Sequence, residues 1–379
     1  MSAIEAQTFF GTMGVENAIG VERGSTALVE PVDKSTTILT LDSYGSEEVG
    51  PWVTSLTFAI PRVLGATDQW DLTGVVGGPG EERSTELRAG GFGYRVRPWD
   101  DDRTLYVSAS YSDVRPDGDL TRDLAIEGDQ RRIALGLRRD ILREDVATTV
   151  TLEARVRDNE ATSMGVPIQD ERIGAVFLGV RRSSGRPLGL QTRVGAAVSA
   201  GVAEYGDSAL FGQLSSTPGA DNRFLRASAS TEASIPLSRL LALNAGLVGQ
   251  WSNGTLPLSQ RCGFGTNAYS RGFDLSELLG DLCIAGRAEL AANAFLPVGD
   301  EQPAWFQIYA GVDGGHLRNN ATLLAGAETV DWSSGSIGVR AIGRDWIAEL
   351  SATTVFDAPQ VALADAGDAR LWFRAGVRF

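Results

Sequence analysis

The stretch Val150-Thr151-Leu152-Glu153-Ala154-Arg155-Val156-Arg157 sets Val, Leu, Ala and Val on one parity and Thr, Glu, Arg and Arg on the other. Period-2 alternation describes a β-strand with two unlike faces. A second face this highly charged suits a water-filled lumen, with the apolar face turned to lipid. Working outward, Trp52, Leu56, Phe58 and Ile60 share one face of an earlier segment, and Leu105, Val107, Ala109 and Tyr111 share one face of the next clear example. Further on, Leu225, Ala227 and Ala229 oppose Arg226, Ser228, Ser230 and Glu232.

About sixteen such segments follow one another from Thr36 to the C-terminus. They lie near 36–43, 50–60, 68–77, 84–97, 103–113, 130–140, 147–158, 171–182, 189–202, 222–235, 240–252, 283–296, 304–314, 332–342, 345–356 and 369–379. Short connections at 98–103, 141–145, 183–187, 236–239 and 343–345 alternate with long polar ones at 112–129, 159–170, 203–221, 253–282, 315–331 and 357–368. An even strand count, with short turns at one end and long loops at the other, is the pattern of a bacterial outer-membrane barrel. A soluble sandwich has no reason to sort its loops by end. The expected fold is all-β, a 16-stranded antiparallel transmembrane β-barrel over residues 35–379.

Composition agrees with this reading. The mean hydropathy is -0.06, and no run approaches the roughly 18 apolar residues that a membrane helix needs. A net charge of -14, with Lys34 the only lysine, repels a phosphate backbone and argues against nucleic acid as a partner. The 45 glycines and three methionines suit strands and turns. Trp52, Trp70, Trp99, Trp251, Trp305, Trp332, Trp346 and Trp372 fall mostly near segment ends, where amphipathic rings settle at the membrane–water boundary. Met1 through Gly20 lacks the features of a secretory signal peptide, so an exported chain is expected to be a mature or truncated form. The final segment, Leu371-Trp372-Phe373-Arg374-Ala375-Gly376-Val377-Arg378-Phe379, alternates to its last residue. A terminal Phe379 closing such a strand resembles the signal read by the barrel-assembly machinery.

The longest loop contains Cys262-Gly263-Phe264-Gly265-Thr266-Asn267-Ala268-Tyr269-Ser270-Arg271-Gly272-Phe273-Asp274, and the strand after it contains Arg287-Ala288-Glu289-Leu290. Ser270-Arg271-Gly272-Phe273 resembles the Val-Arg-Gly-Phe/Tyr loop tip of the two-partner secretion transporters (TpsB, the haemolysin-activator type), with Ser in place of Val. In that family the loop follows the eleventh of sixteen strands and folds back into the lumen. Arg287, Glu289 and Leu290 resemble its Arg-x-Glu-Leu strand, and Gly311-Val312-Asp313-Gly314 keeps the Asp of its Phe-x-Asp while losing the Phe. Leu41-Asp42-Ser43-Tyr44-Gly45-Ser46 resembles its first-strand pattern. The resemblance implies that residues 1–34 are the end of a periplasmic POTRA domain, and that this chain is truncated relative to the family.

Parity puts Asp313 opposite lipid-facing Val312 and Ile308, hence in the lumen. A loop guanidinium entering the lumen needs a carboxylate to match its planar fork. Asp313 is the first candidate partner for Arg271, lumen-facing Glu289 the competitor, and a solvated arginine the plain alternative. Gly272 is expected to permit the tight tip, and Phe273 to pack on the wall. Cys262 and Cys283 bracket the loop and are either two free thiols or a bridge contributing about 3 kcal/mol.

His316 is the only histidine, which excludes multi-histidine metal sites and leaves a triad one candidate. Gly206-Asp207-Ser208 superficially resembles a lipase-type serine motif without support elsewhere. No enzyme activity, cofactor or metal is expected. The resemblance implies an outer-membrane pore that moves a large secreted exoprotein from periplasm to cell surface. Its other expected partners are outer-membrane lipids and, during biogenesis, the assembly machinery, and it is expected to act as a monomer. A barrel-assembly factor and a passive porin are the competing readings.

Overall fold

The computed structural model describes residues 32–43, 50–79, 85–99, 102–116, 125–143, 145–185, 190–204, 219–265, 269–274, 277–296, 304–320, 328–359 and 366–379. The proposed POTRA remnant lies almost wholly outside them, as do Tyr44 to Ser46 and the Gly206-Asp207-Ser208 motif. The first strands are β1 (Thr36–Asp42), β2 (Val53–Pro61), β3 (Asp68–Gly77), β4 (Leu87–Val96), β5 (Arg103–Val114) and β6 (Ile126–Arg143). Next come β7 (Val146–Ser163), β8 (Val166–Gly185), β9 (Gln191–Glu204), β10 (Leu225–Pro236), β11 (Leu241–Ser252), β12 (Cys262–Phe264) and β13 (Leu278–Gly280). The chain ends with β14 (Leu282–Leu296), β15 (Ala304–Arg318), β16 (Thr329–Ile342), β17 (Trp346–Asp357) and β18 (Ala369–Arg378).

Sixteen of these close an antiparallel barrel in chain order, with β11 beside β14 and β18 beside β1. The other two, β12 and β13, form a small hairpin inside the long loop between β11 and β14. Closure is completed at Phe379, whose backbone N–H donates to the Thr37 carbonyl at 2.8 Å while its carbonyl accepts from the Thr37 N–H at 3.1 Å.

The molecule is inverted relative to a soluble protein. On β7, Leu152 is 49% exposed while Glu153 and Arg155 are 1% and 4% exposed. The apolar parity faces outward, as do Leu135, Leu178, Ile308 and Ile337 on other strands, and the charged parity lines a filled interior.

Three loop expectations are corrected. Residues 159–170 do not form a long loop, because β7 and β8 stay paired up to Ser163 and Val166. The intervening Met164 and Gly165 both have positive φ, 51° and 76°, the backbone of a tight hairpin turn whose twist matches the strands it joins. Strands of 18 and 20 residues exceed the roughly 9–11 needed to cross a bilayer, so the polar stretch that reads as loop is strand standing clear of lipid. Likewise, β6 begins at Ile126 and β16 at Thr329, which shortens the connections before them.

A charge on the outer face meets hydrocarbon. Leu135→Arg is expected to destabilise the barrel by about 2–4 kcal/mol if that residue sits at the bilayer midplane, and Leu135→Val to change little. Urea titration of barrels refolded into lipid vesicles would measure both.

Candidate functional site: the lumen-crossing loop

The segment between β11 and β14 turns into the barrel, and its base is fixed by buried polar groups. Asp281 is fully buried and accepts from the Leu256 and Asn320 backbone N–H groups, each at 2.8 Å. Arg261 lies 3.3 Å from the same carboxylate. A 3-10 turn at Leu258–Gln260 presents its carbonyls to the β7–β10 side of the wall, where Arg157 on β7 donates to Ser259 at 2.9 Å and Arg226 on β10 donates to Gln260 at 3.0 Å. Cys262 and Cys283 are joined in a disulfide that ties the β12–β13 hairpin to β14. Phe264, Leu278, Leu317 and Trp332 pack the hairpin against the wall, with Phe264 and Trp332 ring centroids 4.8 Å apart.

Beyond the hairpin the chain crosses to β14–β18. The left-handed residue of the tip is Ser270, with φ 63°. Gly272 is not among the positive-φ residues, and the glycine is required for a different reason. A Cβ there would lie 2.7 Å from Val355 Cγ2 and 3.1 Å from Ser334 Cβ, so the backbone is pressed against the wall where only hydrogen fits. Phe273 is fully buried in the same cluster as Trp332 and Val355.

The Arg271 guanidinium reaches Glu289 at 3.1 Å and the Ser336 hydroxyl at 2.9 Å. Asp313, the first candidate on sequence grounds, instead accepts the backbone N–H groups of Ser270 and Arg271 and the Ser334 hydroxyl, the last at 2.6 Å. Glu289 makes the direct ion pair with the guanidinium, while Asp313 holds the main chain of the tip and also feels the charge of Arg271. Trp372 Nε1 donates to the Arg271 carbonyl at 2.7 Å, and Arg370 pairs with Asp274.

Arg340 on β16, which sequence reading missed, shares Glu289 with Arg271, donating to its two oxygens at 2.8 and 3.0 Å. It also contacts Glu349 at 2.8 Å and sits 3.9 Å from the Tyr309 ring centroid, with Arg271 5.1 Å from the same ring. Parity on β16 was the available signal, because Arg340 alternates with lipid-facing Val339 and Ile337. Arg287 lies over the Tyr269 ring at 5.2 Å and pairs with Glu232 at 3.2 Å. Burial pushes the Tyr269 hydroxyl up to about 12, so it remains a neutral phenol at physiological pH.

Two tryptophans depart from the expected interfacial girdle. Trp332 and Trp372 are 3% and 5% exposed and face inward to hold the loop, whereas Trp52, Trp99 and Trp251 are exposed on the outside. His316 pairs with Asp331 at 2.8 Å on exposed surface, outside this site. Phe379 is exposed at the end of β18. In chemical terms the arrangement is a latch. Buried guanidiniums share carboxylates, and the contacts hold a loop across a lumen without an activated nucleophile among them.

The sequence model of the haemolysin secretion/activation protein ShlB/FhaC/HecB family matches residues 30–341. A sequence search among curated proteins gave no match. Among solved structures, CdiB from Escherichia coli superposes with a TM-score of 0.77 at 18% identity, over 93% of this chain and 64% of that one. CdiB from Acinetobacter baumannii gives 0.69 at 17% identity, over 92% and 60%. BamA from Haemophilus ducreyi lacking POTRA domains 1–3 gives 0.61 at 12%, over 92% and 71%. At these identities the likeness is one of fold, and the chain spans less than two thirds of either CdiB structure.

The geometry separates the roles of the two carboxylates. A double-mutant cycle of Arg271→Ala with Glu289→Ala is expected to show coupling of about 1–3 kcal/mol, and the cycle with Asp313→Ala a clearly smaller value, because Asp313 holds backbone that the first substitution keeps. Glu289→Ala alone leaves two guanidiniums without that carboxylate and is expected to cost about 3–5 kcal/mol. Denaturant unfolding of the wild type, the three single variants and the two double variants in vesicles supplies the values.

Proposed function

Because the chain belongs to the haemolysin secretion/activation ShlB/FhaC/HecB family, an outer-membrane transporter family, we propose that it is the pore of a two-partner secretion system. It passes a large, unfolded exoprotein from periplasm to cell surface. The observation that carries this reading is the loop that spans the lumen, anchored on β7 and β10 at its base and on β14–β18 at its tip. A pore for a polypeptide must be wide enough for a chain yet closed to solutes at rest. A latched internal loop supplies the closure, and a change in the loop's contacts admits the cargo. Direction comes from the exoprotein folding outside, with no nucleotide spent.

In this reading Arg271, Gly272, Phe273, Glu289 and Asp313 set the resting position of the loop and take no part in covalent chemistry, so the protein acts as a transporter and not an enzyme. Residues 1–34 are the end of a POTRA domain that recruits cargo, Phe379 addresses the chain to the assembly machinery, and the barrel works as a monomer in outer-membrane lipid.

The test is secretion of the exoprotein encoded beside the gene, compared between wild type, a gene deletion and Arg271→Ala at equal outer-membrane levels. Secretion is expected to fall to the deletion level in Arg271→Ala while the barrel stays assembled. Undiminished secretion in the deletion strain would remove the transporter reading, and undiminished secretion in Arg271→Ala would remove the role given to the latch.

A further inference from the structure

In a chain whose net charge is -14, two stretches stand out as basic. Residues 173–203 hold Arg181, Arg182, Arg186 and Arg193 with no acidic residue, and residues 233–251 hold Arg239 with none. The fold makes neighbours of them, because β8, β9, β10 and β11 stand side by side in the wall. The β8–β9 and β10–β11 connections therefore lie together at the short-turn end. The connections that flank them differ in charge. Glu144 and Asp145 accompany Arg143 between β6 and β7, and Asp300 and Glu301 fall between β14 and β15. The basic character is confined to one arc of the rim.

Two of these arginines are on the outside. Arg182 has the parity of lipid-facing Leu178 and Val180 and stands opposite outward-facing Val194 on β9. It is exposed where the apolar band ends. Arg181 takes the other parity, that of buried Phe177, and Arg193 meets Glu232 at 3.1 Å. Arg239 sits in the β10–β11 turn between Leu237 and Leu240, which are 56% and 63% exposed. That turn is internally braced. The Leu237 and Ser238 N–H groups donate to the Leu241 carbonyl at 2.8 and 3.1 Å, and the Ser238 hydroxyl accepts from the Leu240 and Leu241 N–H groups at 3.2 and 3.0 Å. Two leucines and an arginine are thus presented on a preformed tip.

An exposed leucine at the rim of a membrane barrel leaves water by entering the acyl layer, and an arginine beside it then reaches back to the headgroups. Its planar fork matches a phosphate bidentately. In a zwitterionic lipid the phosphate charge is balanced within the same headgroup, whereas an anionic phospholipid leaves that charge to the protein. Short turns of an outer-membrane barrel face the periplasm, so this arc meets the inner leaflet. We infer that the β8–β11 arc of the short-turn end binds anionic phospholipid headgroups, with Arg182 and Arg239 on the phosphates and Leu237 and Leu240 in the acyl layer. The inference rests on the outer-membrane setting and is independent of what the lumen transports.

The full chain in nanodiscs of phosphatidylglycerol and phosphatidylcholine in equal amounts tests it, by counting the lipids of each kind that stay on the protein in native mass spectrometry. Wild type is expected to retain phosphatidylglycerol in preference, and Arg182→Gln/Arg239→Gln to lower that preference by about threefold or more. Arg131→Gln, which removes an exposed outward arginine near the long-loop end of β6, is expected to keep it. Each protein is first required to show the heat-modifiable mobility shift of a folded barrel. Should the double variant fail that requirement, Arg182→Gln and Arg239→Gln are measured singly, each with a smaller loss expected in the same direction. Equal retention of the two lipids by wild type would overturn the inference. So would a preference that the Arg182 and Arg239 variants leave intact, or one that Arg131→Gln lowers as much as they do.

Discussion

Hydrocarbon offers no hydrogen-bond partner, and every other feature of this molecule follows from that constraint. A strand crossing the bilayer must find all its backbone partners in neighbouring strands, which leaves a closed cylinder as the solution. Closure fixes one parity of each strand in lipid and the other in the interior. The interior must then be made compatible with charge, because the outer face has taken the apolar residues. Glu153 and Arg155 buried beside exposed Leu152 are one local result.

A charged interior is stable only when its ions meet. Here the internal loop supplies part of what the wall needs. Ser259 and Gln260 carbonyls receive Arg157 and Arg226, and Arg271 brings a second cation to Glu289 beside Arg340. Removing a partner from a buried pair costs more than the pair contributes over an apolar replacement, so the network acts less as a source of stability than as a device that specifies one loop position. The disulfide between Cys262 and Cys283 acts on the same segment through chain entropy.

The alternation of Val150 to Arg157 made the strand and its facing legible, and the same rule located nearly every strand, because lipid and lumen impose it at every residue. The rule reads faces, not distances. It placed Asp313 and Glu289 in the lumen but could not say which would meet the guanidinium and which the main chain of Arg271. Composition misled at 159–170, where polar residues stand in strands rising beyond the lipid, and the turn needed only Met164 and Gly165. Gly272 was legible as necessary for the wrong reason, since local turn logic sees φ and not the approach of Val355. Trp332 and Trp372 face the loop because interior packing overrode the interfacial preference of the indole.

The ladders around the barrel differ greatly in length. Strands β7 and β8 share 18 registered pairs, whereas β1 and β18 share five. The long ladder joins neighbours in sequence and can zip from a two-residue turn as soon as both strands exist. The short one joins the two ends of the barrel, so it carries the largest loop-closure entropy for the fewest bonds in return. In kinetic terms the cylinder is a sheet that grows readily from its middle and meets its slowest step at the seam.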